Sequence, residues 1–274
     1  MDLKGKVALI TGGGTGIGEA IARRFVADGA RVCITGRRQE MLDNVATSLP
    51  SGSIKTCSAD VADPKDVERM VETTLSFGGG LHVLVNNAAV SHKPANIVDL
   101  DPAEWRKTLN VNLTGPFLMM KAAIPHMIKA GGGSIINISS LAGLRCIPDK
   151  PAYCASKAGL IHLTLQAALD YGRFKIRCNA VCPAAMKTDM FRGAMEHFAK
   201  IIGTDVEDIF SRFSHDVPLH RVAVPEEIAG LCSYLASDDS SFTTGVVIPV
   251  DGGAAIVDVS GTAMNRIVES MEAG

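Results

Sequence analysis

Tyr153 and Lys157 stand four residues apart in the stretch PAYCASK, residues 151–157. On a helix this spacing puts a phenol and an ammonium on one face, one turn apart. The chemistry such a pair offers is proton transfer. A free tyrosine has a pKa near 10, and lowering it to about 7 takes roughly 4 kcal/mol of selective stabilisation of the phenolate. A neighbouring ammonium supplies part of that by favouring the charged form. The pair is useful where hydride delivery to a carbonyl builds negative charge on oxygen and a proton donor must be waiting. Alone it decides little, because a short motif on a solvated helix arises readily by chance. It needs a hydride carrier beside it.

The first apolar run supplies a place for one. It leads into TGGGTGIG, residues 11–18, and then into the helical stretch EAIARRFVADGA. Small residues let the backbone approach a pyrophosphate, and a helix N-terminus offers free amides and the positive end of the dipole. A strand before the glycines and a helix after them is the context that separates a dinucleotide turn from a merely glycine-rich loop. Gly12, Gly14, Thr15, Gly16, Ile17 and Gly18 are the expected contacts. The second strand ends CITGRRQE, without the acidic residue that would bind the 2′-hydroxyl of NAD. Arg37 follows instead, and its guanidinium can bind a 2′-phosphate and stack on adenine. The expected cofactor is NADP(H), with NAD as the alternative.

These residues need a scaffold, and the chain's pattern provides it. Val/Ile-rich runs of strand length recur at 7–11, 32–35, 54–58, 83–86, 134–139, 176–181 and 246–250. They are continuous rather than alternating, as expected for strands buried on both faces. Helix-like stretches lie between them at 17–28, 40–48, 64–76, 102–129 (interrupted at Pro116), 152–171 and 225–236. The alternation implies an α/β fold: a doubly wound, Rossmann-type parallel sheet of about seven strands with helices on both faces. No linker or repeat divides the 274 residues, so one dinucleotide-binding and catalytic domain is expected. More than forty residues without a strand, 182–224, break the rhythm; a lid-like insertion around 184–217 is expected there. A C-terminal extension follows residue 253.

Composition excludes several classes. Lys plus Arg (27) and Asp plus Glu (29) nearly cancel, so no basic excess points to nucleic acid. No apolar run reaches the ~18 residues of a membrane span. The seven cysteines form no zinc-like cluster, so no metal is expected. Scattered thiols suit a reduced, cytoplasmic protein. Cys154, beside Tyr153, reads as a packing residue.

The motifs together resemble the short-chain dehydrogenase/reductase family, in its single-domain branch. After TGGGTGIG come ADV (59–61), NNAA (86–89), NVNLTG with Asn112, INISSLAG with Ser140, YCASK, NAVCPAAMKTDM and DGG (251–253), in family order. The resemblance implies catalytic Asn112, Ser140, Tyr153 and Lys157. In it, Ser140 holds the substrate oxygen, with Ser139 as the adjacent alternative pointing to the other face. Asn112 sits at a helix break and helps hold a water that links the lysine to solvent. Tyr153 is the proton donor or acceptor, and Lys157 lowers its pKa and binds the nicotinamide ribose. Asp60, Val61, Asn87, Pro183 and Thr188 are the further cofactor contacts it implies, and a homotetramer is the implied assembly. Ala/Leu-rich 158–168 would suit helix packing between subunits.

Some positions depart from the family pattern. Ala89 and Ala184 replace glycines, His82 replaces a frequent Asp, and Thr15 stands where many NADP enzymes have a basic residue. The insertion carries Met186, Met190, Phe191, Met195, Phe198, Phe210 and Phe213. Read as a movable apolar lid, it suggests a mainly hydrophobic or alicyclic substrate; read as core, it says nothing of substrate. Arg145, Lys187 and Arg192 are either anion contacts or solvated charges. The expected reaction interconverts a secondary alcohol and a ketone. A 3-oxoacyl thioester is the alternative substrate, and a non-catalytic dinucleotide sensor or scaffold is the alternative class.

Overall fold

The computed structural model describes residues 1–258 and 260–263. Seven parallel strands form one sheet in the order β3-β2-β1-β4-β5-β6-β7. They are β1 (Val7–Thr11), β2 (Arg31–Gly36), β3 (Ile54–Ser58), β4 (Val83–Asn86), β5 (Gly133–Ile138), β6 (Ile176–Pro183) and β7 (Val247–Val250). The expected runs and the observed strands agree within one or two residues. The reason is physical: β1 is buried at every position. Ile10 packs with Ile21, Phe25 and Leu42 on one face, while Leu9 packs with Met70, Met119 and Met127 on the other. Successive side chains alternate between two dry faces, so both must be apolar.

One face is covered by α1 (Gly16–Ala27), α2 (Gln39–Thr47) and α9 (Glu226–Ala236); the other by α3 (Pro64–Gly78), α5 (Gly115–Lys129) and α6 (Pro151–Tyr171). A short α4 (Pro102–Leu109) runs into a π turn, Asn110–Thr114, before α5 begins. The expected break at Pro116 therefore falls one turn earlier. Proline has no N–H to give the carbonyl four residues back, here that of Asn112, and the ladder slips to wider rings before it. In the inserted segment α7 (Asp189–Ile202) and α8 (Val206–Phe213) form a pair with its own small core.

Sheet order reverses between β1 and β4, with Ile10 opposite Val85. Open α/β sheets bind ligands outside the strand C-termini at such a switch. The glycine turn, Arg37, Asn87, Ser140 and Pro183 all follow or end strands on this edge.

Candidate active site

The glycine turn is held by side chains of the neighbouring strand. Thr11 Oγ1 accepts the N–H groups of Asn87 and Ala88 at 3.0 and 3.1 Å. Asn87 Nδ2 donates to Thr11 O at 2.9 Å and Gly12 O at 3.1 Å. Two glycines are required by this closeness. Gly12 has φ +65°, and a Cβ there would lie 2.9 Å from Asn87 Nδ2. A Cβ on Gly18 would lie 2.2 Å from Gly12 O. Thr15 is the N-cap residue of α1 but makes no side-chain cap bond. The first amides of that helix, from Gly16, Ile17 and Gly18, thus lack the usual partner. A backbone nest at a helix N-terminus is the donor set a pyrophosphate takes, so these residues fit a dinucleotide.

Around it, Thr188 N-caps α7 and touches the turn: a Cβ on Gly16 would lie 3.2 Å from Thr188 Cγ2. Pro183 is buried at the end of β6. Asp60 Oδ1 accepts the Ala62 N–H at 2.9 Å. Val61 is buried against Gly115. Arg37 is exposed just past β2, and among the described residues its guanidinium makes no hydrogen bond or ion pair.

Lys157 is 2 % exposed, and among the described residues no carboxylate pairs with it. Its Nζ donates to Ile138 O at 2.8 Å and lies 5.8 Å from the centre of the Tyr153 ring. Burial lowers its pKa from 10.5 to about 8, with Cys182 opposing. An ammonium kept in such a place has donors left for another oxygen-rich group, such as a ribose. Tyr153 has its pKa raised by burial first; the Ser140 hydroxyl counteracts this, and Cys154 adds to the rise. Lys157 is not among the causes of this shift. The ammonium points at Ile138 O and the ring, and desolvation of the phenolate dominates.

Ser140 is brought to Tyr153 by a 3₁₀ turn, Leu141–Gly143, which it caps by accepting the Ala142 N–H at 3.1 Å. Ser139 instead donates to Lys157 O at 2.9 Å, inside the fold. The pair thus points apart, and Ser140 is the one beside the phenol. Asn112 is fully buried in the π turn. Its Oδ1 accepts Val90 N–H at 2.8 Å and its Nδ2 donates to Val90 O at 2.9 Å and Ser156 Oγ at 3.1 Å. The assembled phenol, hydroxyl and ammonium can hold an oxygen and move a proton to or from it.

A family model described as enoyl-(acyl carrier protein) reductase matches residues 12–255. Meso-2,3-butanediol dehydrogenase of Serratia marcescens is 39 % identical over 258 residues, 94 % of this chain and 98 % of that protein. The crystal structure of levodione reductase superposes with a TM-score of 0.88 at 32 % identity, covering 93 % of this chain and 99 % of that one. A 3-ketoacyl-(acyl-carrier-protein) reductase from Brucella melitensis, complexed with NADH, gives 0.83 at 33 % identity, covering 92 % and 99 %. The chain belongs to the short-chain dehydrogenase/reductase family. It is an NAD(P)-dependent alcohol dehydrogenase or ketone reductase.

Within this short-chain dehydrogenase fold, several expected contacts turn inward. Phe191 stacks on Phe210 at 5.8 Å and meets Phe213 edge-on at 5.3 Å. Met195 and Phe210 are buried in the core of the α7–α8 pair, while Phe198 is exposed; the Met190 side chain lies outside the described residues. Lys187 and Arg192 both bind Glu207, at 2.9 and 3.0 Å. All three side chains are partly exposed, so this is a solvated surface ion pair in which Glu207 already holds both cations. Ala184 donates its N–H to Val250 O at 3.1 Å, a bond its methyl does not disturb. His82 accepts the Val7 N–H on Nδ1 at 3.0 Å, a structural role. Sequence reasoning missed Thr11 and Ser156. A buried threonine ending β1 was a signal for the first. For the second, position three after Tyr153 was one: Ser156 Oγ donates to Tyr153 O at 2.8 Å.

Proposed function

We propose that this dehydrogenase prefers NADP(H) and interconverts a small or alicyclic, mainly apolar secondary alcohol and its ketone. The buried Lys157 carries the proposal. An ammonium kept away from water and from every described carboxylate, beside a tyrosine, costs stability and has no use in a purely structural helix. It argues equally against a non-catalytic sensor or scaffold.

When bound, the nicotinamide supplies or takes up the hydride. Tyr153 gives its phenolic proton to the substrate oxygen in reduction and takes it back in oxidation. Ser140 donates a hydrogen bond to the same oxygen and orients it. Lys157 holds the ribose through its remaining donors. Its charge and that of an oxidised nicotinamide would lower the Tyr153 pKa, offsetting the rise from burial. Asn112 fixes the π turn between Val90 and α6. The first amides of α1, with Asp60, Val61, Asn87, Pro183 and Thr188, form the proposed cofactor cradle. Arg37 meets the 2′-phosphate.

A 3-oxoacyl thioester is the second reading, favoured by the likeness to a 3-ketoacyl reductase. Against it, Lys187, just before α7, and Arg192, in its first turn, are engaged by Glu207 rather than free for a carrier phosphate. The names of two relatives give butanediol and levodione as substrates rather than an acyl thioester, which supports the first reading. We take the chain as one domain with segment 184–217 as a lid, cytoplasmic, and tetrameric through its long helices; of the extension after residue 253, residues 259 and 264–274 lie outside the described residues. No described helix is long and apolar enough to cross a membrane.

The test is a reduced-nicotinamide absorbance screen with both cofactors over acyclic diols, alicyclic ketones, sugars and acyl thioesters. Turnover of small or alicyclic ketones with a higher kcat/KM for NADPH supports the proposal. Equal or better use of NADH overturns the cofactor assignment, and exclusive use of acyl thioesters overturns the substrate.

A further inference from the structure

The loop between β5 and α6 and the first turn of α6 carry two thiols that hydride chemistry does not use. Cys146 is exposed and Cys154 is half-buried, whereas Cys33, Cys57, Cys178, Cys182 and Cys232 are buried. Cys154 Sγ accepts the Ile147 N–H at 3.4 Å. That nitrogen is two bonds from the Cys146 Cα, so backbone geometry keeps this Cα within about 6 Å of the Cys154 sulfur. Both cysteines line one open cavity of ≈ 510 Å³, with Ile97, Val98, Ile147 and Pro151 around them. Residues 144–149 between them and the core are exposed throughout. Adding the roughly 2.8 Å from the Cys154 sulfur to its own Cα bounds the Cα–Cα separation at about 9 Å, so a loop adjustment of a few Å reaches the roughly 4.4–6.8 Å that disulfides tolerate.

The place matters because of what the loop touches. Cys154 follows Tyr153 directly. Asp149 O accepts the Ala95 N–H at 3.0 Å, and Lys150 Nζ donates to His92 O. The loop is thus tied to segment 90–96, whose Val90 clamps Asn112.

We propose that Cys146 and Cys154 form a reversible disulfide at the start of α6, next to Tyr153 in the chain. Hydrogen peroxide is the oxidant. The exposed Cys146 attacks one peroxide oxygen; the O–O bond breaks, the thiol becomes a sulfenic acid and one water leaves. Cys154 then attacks that sulfur; the S–S bond forms, the S–O bond breaks and a second water leaves. Two thiols and one peroxide give one disulfide and two waters. A dithiol reductant reverses it by exchange. The bond pins the loop to the first turn of α6 beside Tyr153.

The experiment treats the full-length protein with stoichiometric peroxide, alkylates the remaining thiols and digests with trypsin. Cleavage after Arg145 and Lys157, with the Lys150–Pro151 bond resistant, puts both cysteines in the single peptide 146–157. The expected result is a loss of about 2 Da in that peptide with neither thiol alkylated, reversed by dithiothreitol. The Cys146→Ser and Cys154→Ser variants each abolish the loss. Persistence of two alkylatable thiols overturns the proposal. So does oxidation of Cys146 to sulfinic acid with Cys154 still alkylatable. The readout is a peptide mass, independent of whether Tyr153 is the proton donor.

Discussion

Lys157 shows most clearly how a single residue sets function against stability. Its ammonium is buried with one backbone acceptor, and its pKa falls from 10.5 to about 8. The folded chain thus binds the proton less tightly than the unfolded chain does. Between about 8 and 10.5 the unfolded state holds more protons, so stability rises with pH across that window and is flat on either side. Below it, both states are charged and the burial penalty is felt in full. Replacing Lys157 with Met should therefore raise stability at pH 7 by roughly 1–3 kcal/mol while abolishing turnover. Denaturant titration of the two proteins at pH 7 measures this; a destabilised Met variant would contradict it. Arg37 carries the cofactor assignment. Arg37→Ala should raise the KM for NADPH by about tenfold and leave that for NADH nearly unchanged, because one charge-assisted contact to a 2′-phosphate is lost.

At the scale of elements, the glycine turn and the foot of β4 make contrasting demands. Gly18→Ala sets a Cβ against Gly12 O, at a separation of 2.2 Å if nothing moves. The turn must open, and dinucleotide affinity should drop about tenfold or more, read by fluorescence titration of NADPH. At the foot, His82 Nδ1 accepts the Val7 N–H. Burial, then the charge of Lys6, lowers its pKa below 6.5. Protonation in the fold would remove the acceptor, so the unfolded chain takes the proton first. Stability should fall as pH drops from 6.5 through the lowered value, and His82→Gln should flatten that part of the profile. Thermal melts across pH 4–8 test it, with an unchanged slope in the variant as the contrary result. The elements themselves were legible in the sequence because strands dry on both faces must be continuously apolar. The π turn was not, since a proline marks a break without saying to which side the ladder slips. Nor was the fate of Lys187 and Arg192: their partner Glu207 lies 15 residues or more along the chain, beyond the reach of local pattern.

The whole molecule gathers one edge of a seven-stranded sheet into a site and leaves much apolar surface outside it. Trp105, Phe117 and Leu169, on α4, α5 and α6, are 38, 47 and 79 % exposed. A tetramer that joins these helices would cover them. Sedimentation should then give a four-chain particle, and Phe117→Glu with Leu169→Glu should give smaller species. A monomeric parent protein would contradict it. The candidate site residues Asn112, Ser140, Tyr153 and Lys157 came from the family resemblance; the fold brings Ser140, Tyr153 and Lys157 together because a strand end and one helix turn carry them. The tuning of Tyr153 was not readable, since it depends on three-dimensional burial and on where the Lys157 ammonium points. The measurement that bears most directly on the whole account compares the wild type with Tyr153→Phe. Nicotinamide-linked turnover of the best ketone from the screen is followed, together with NADPH binding by fluorescence. The predicted result is loss of turnover by about a hundredfold or more with dinucleotide affinity nearly unchanged, since proton donors contribute about 10²–10⁴. Turnover retained in the phenylalanine variant would contradict Tyr153 as the proton donor.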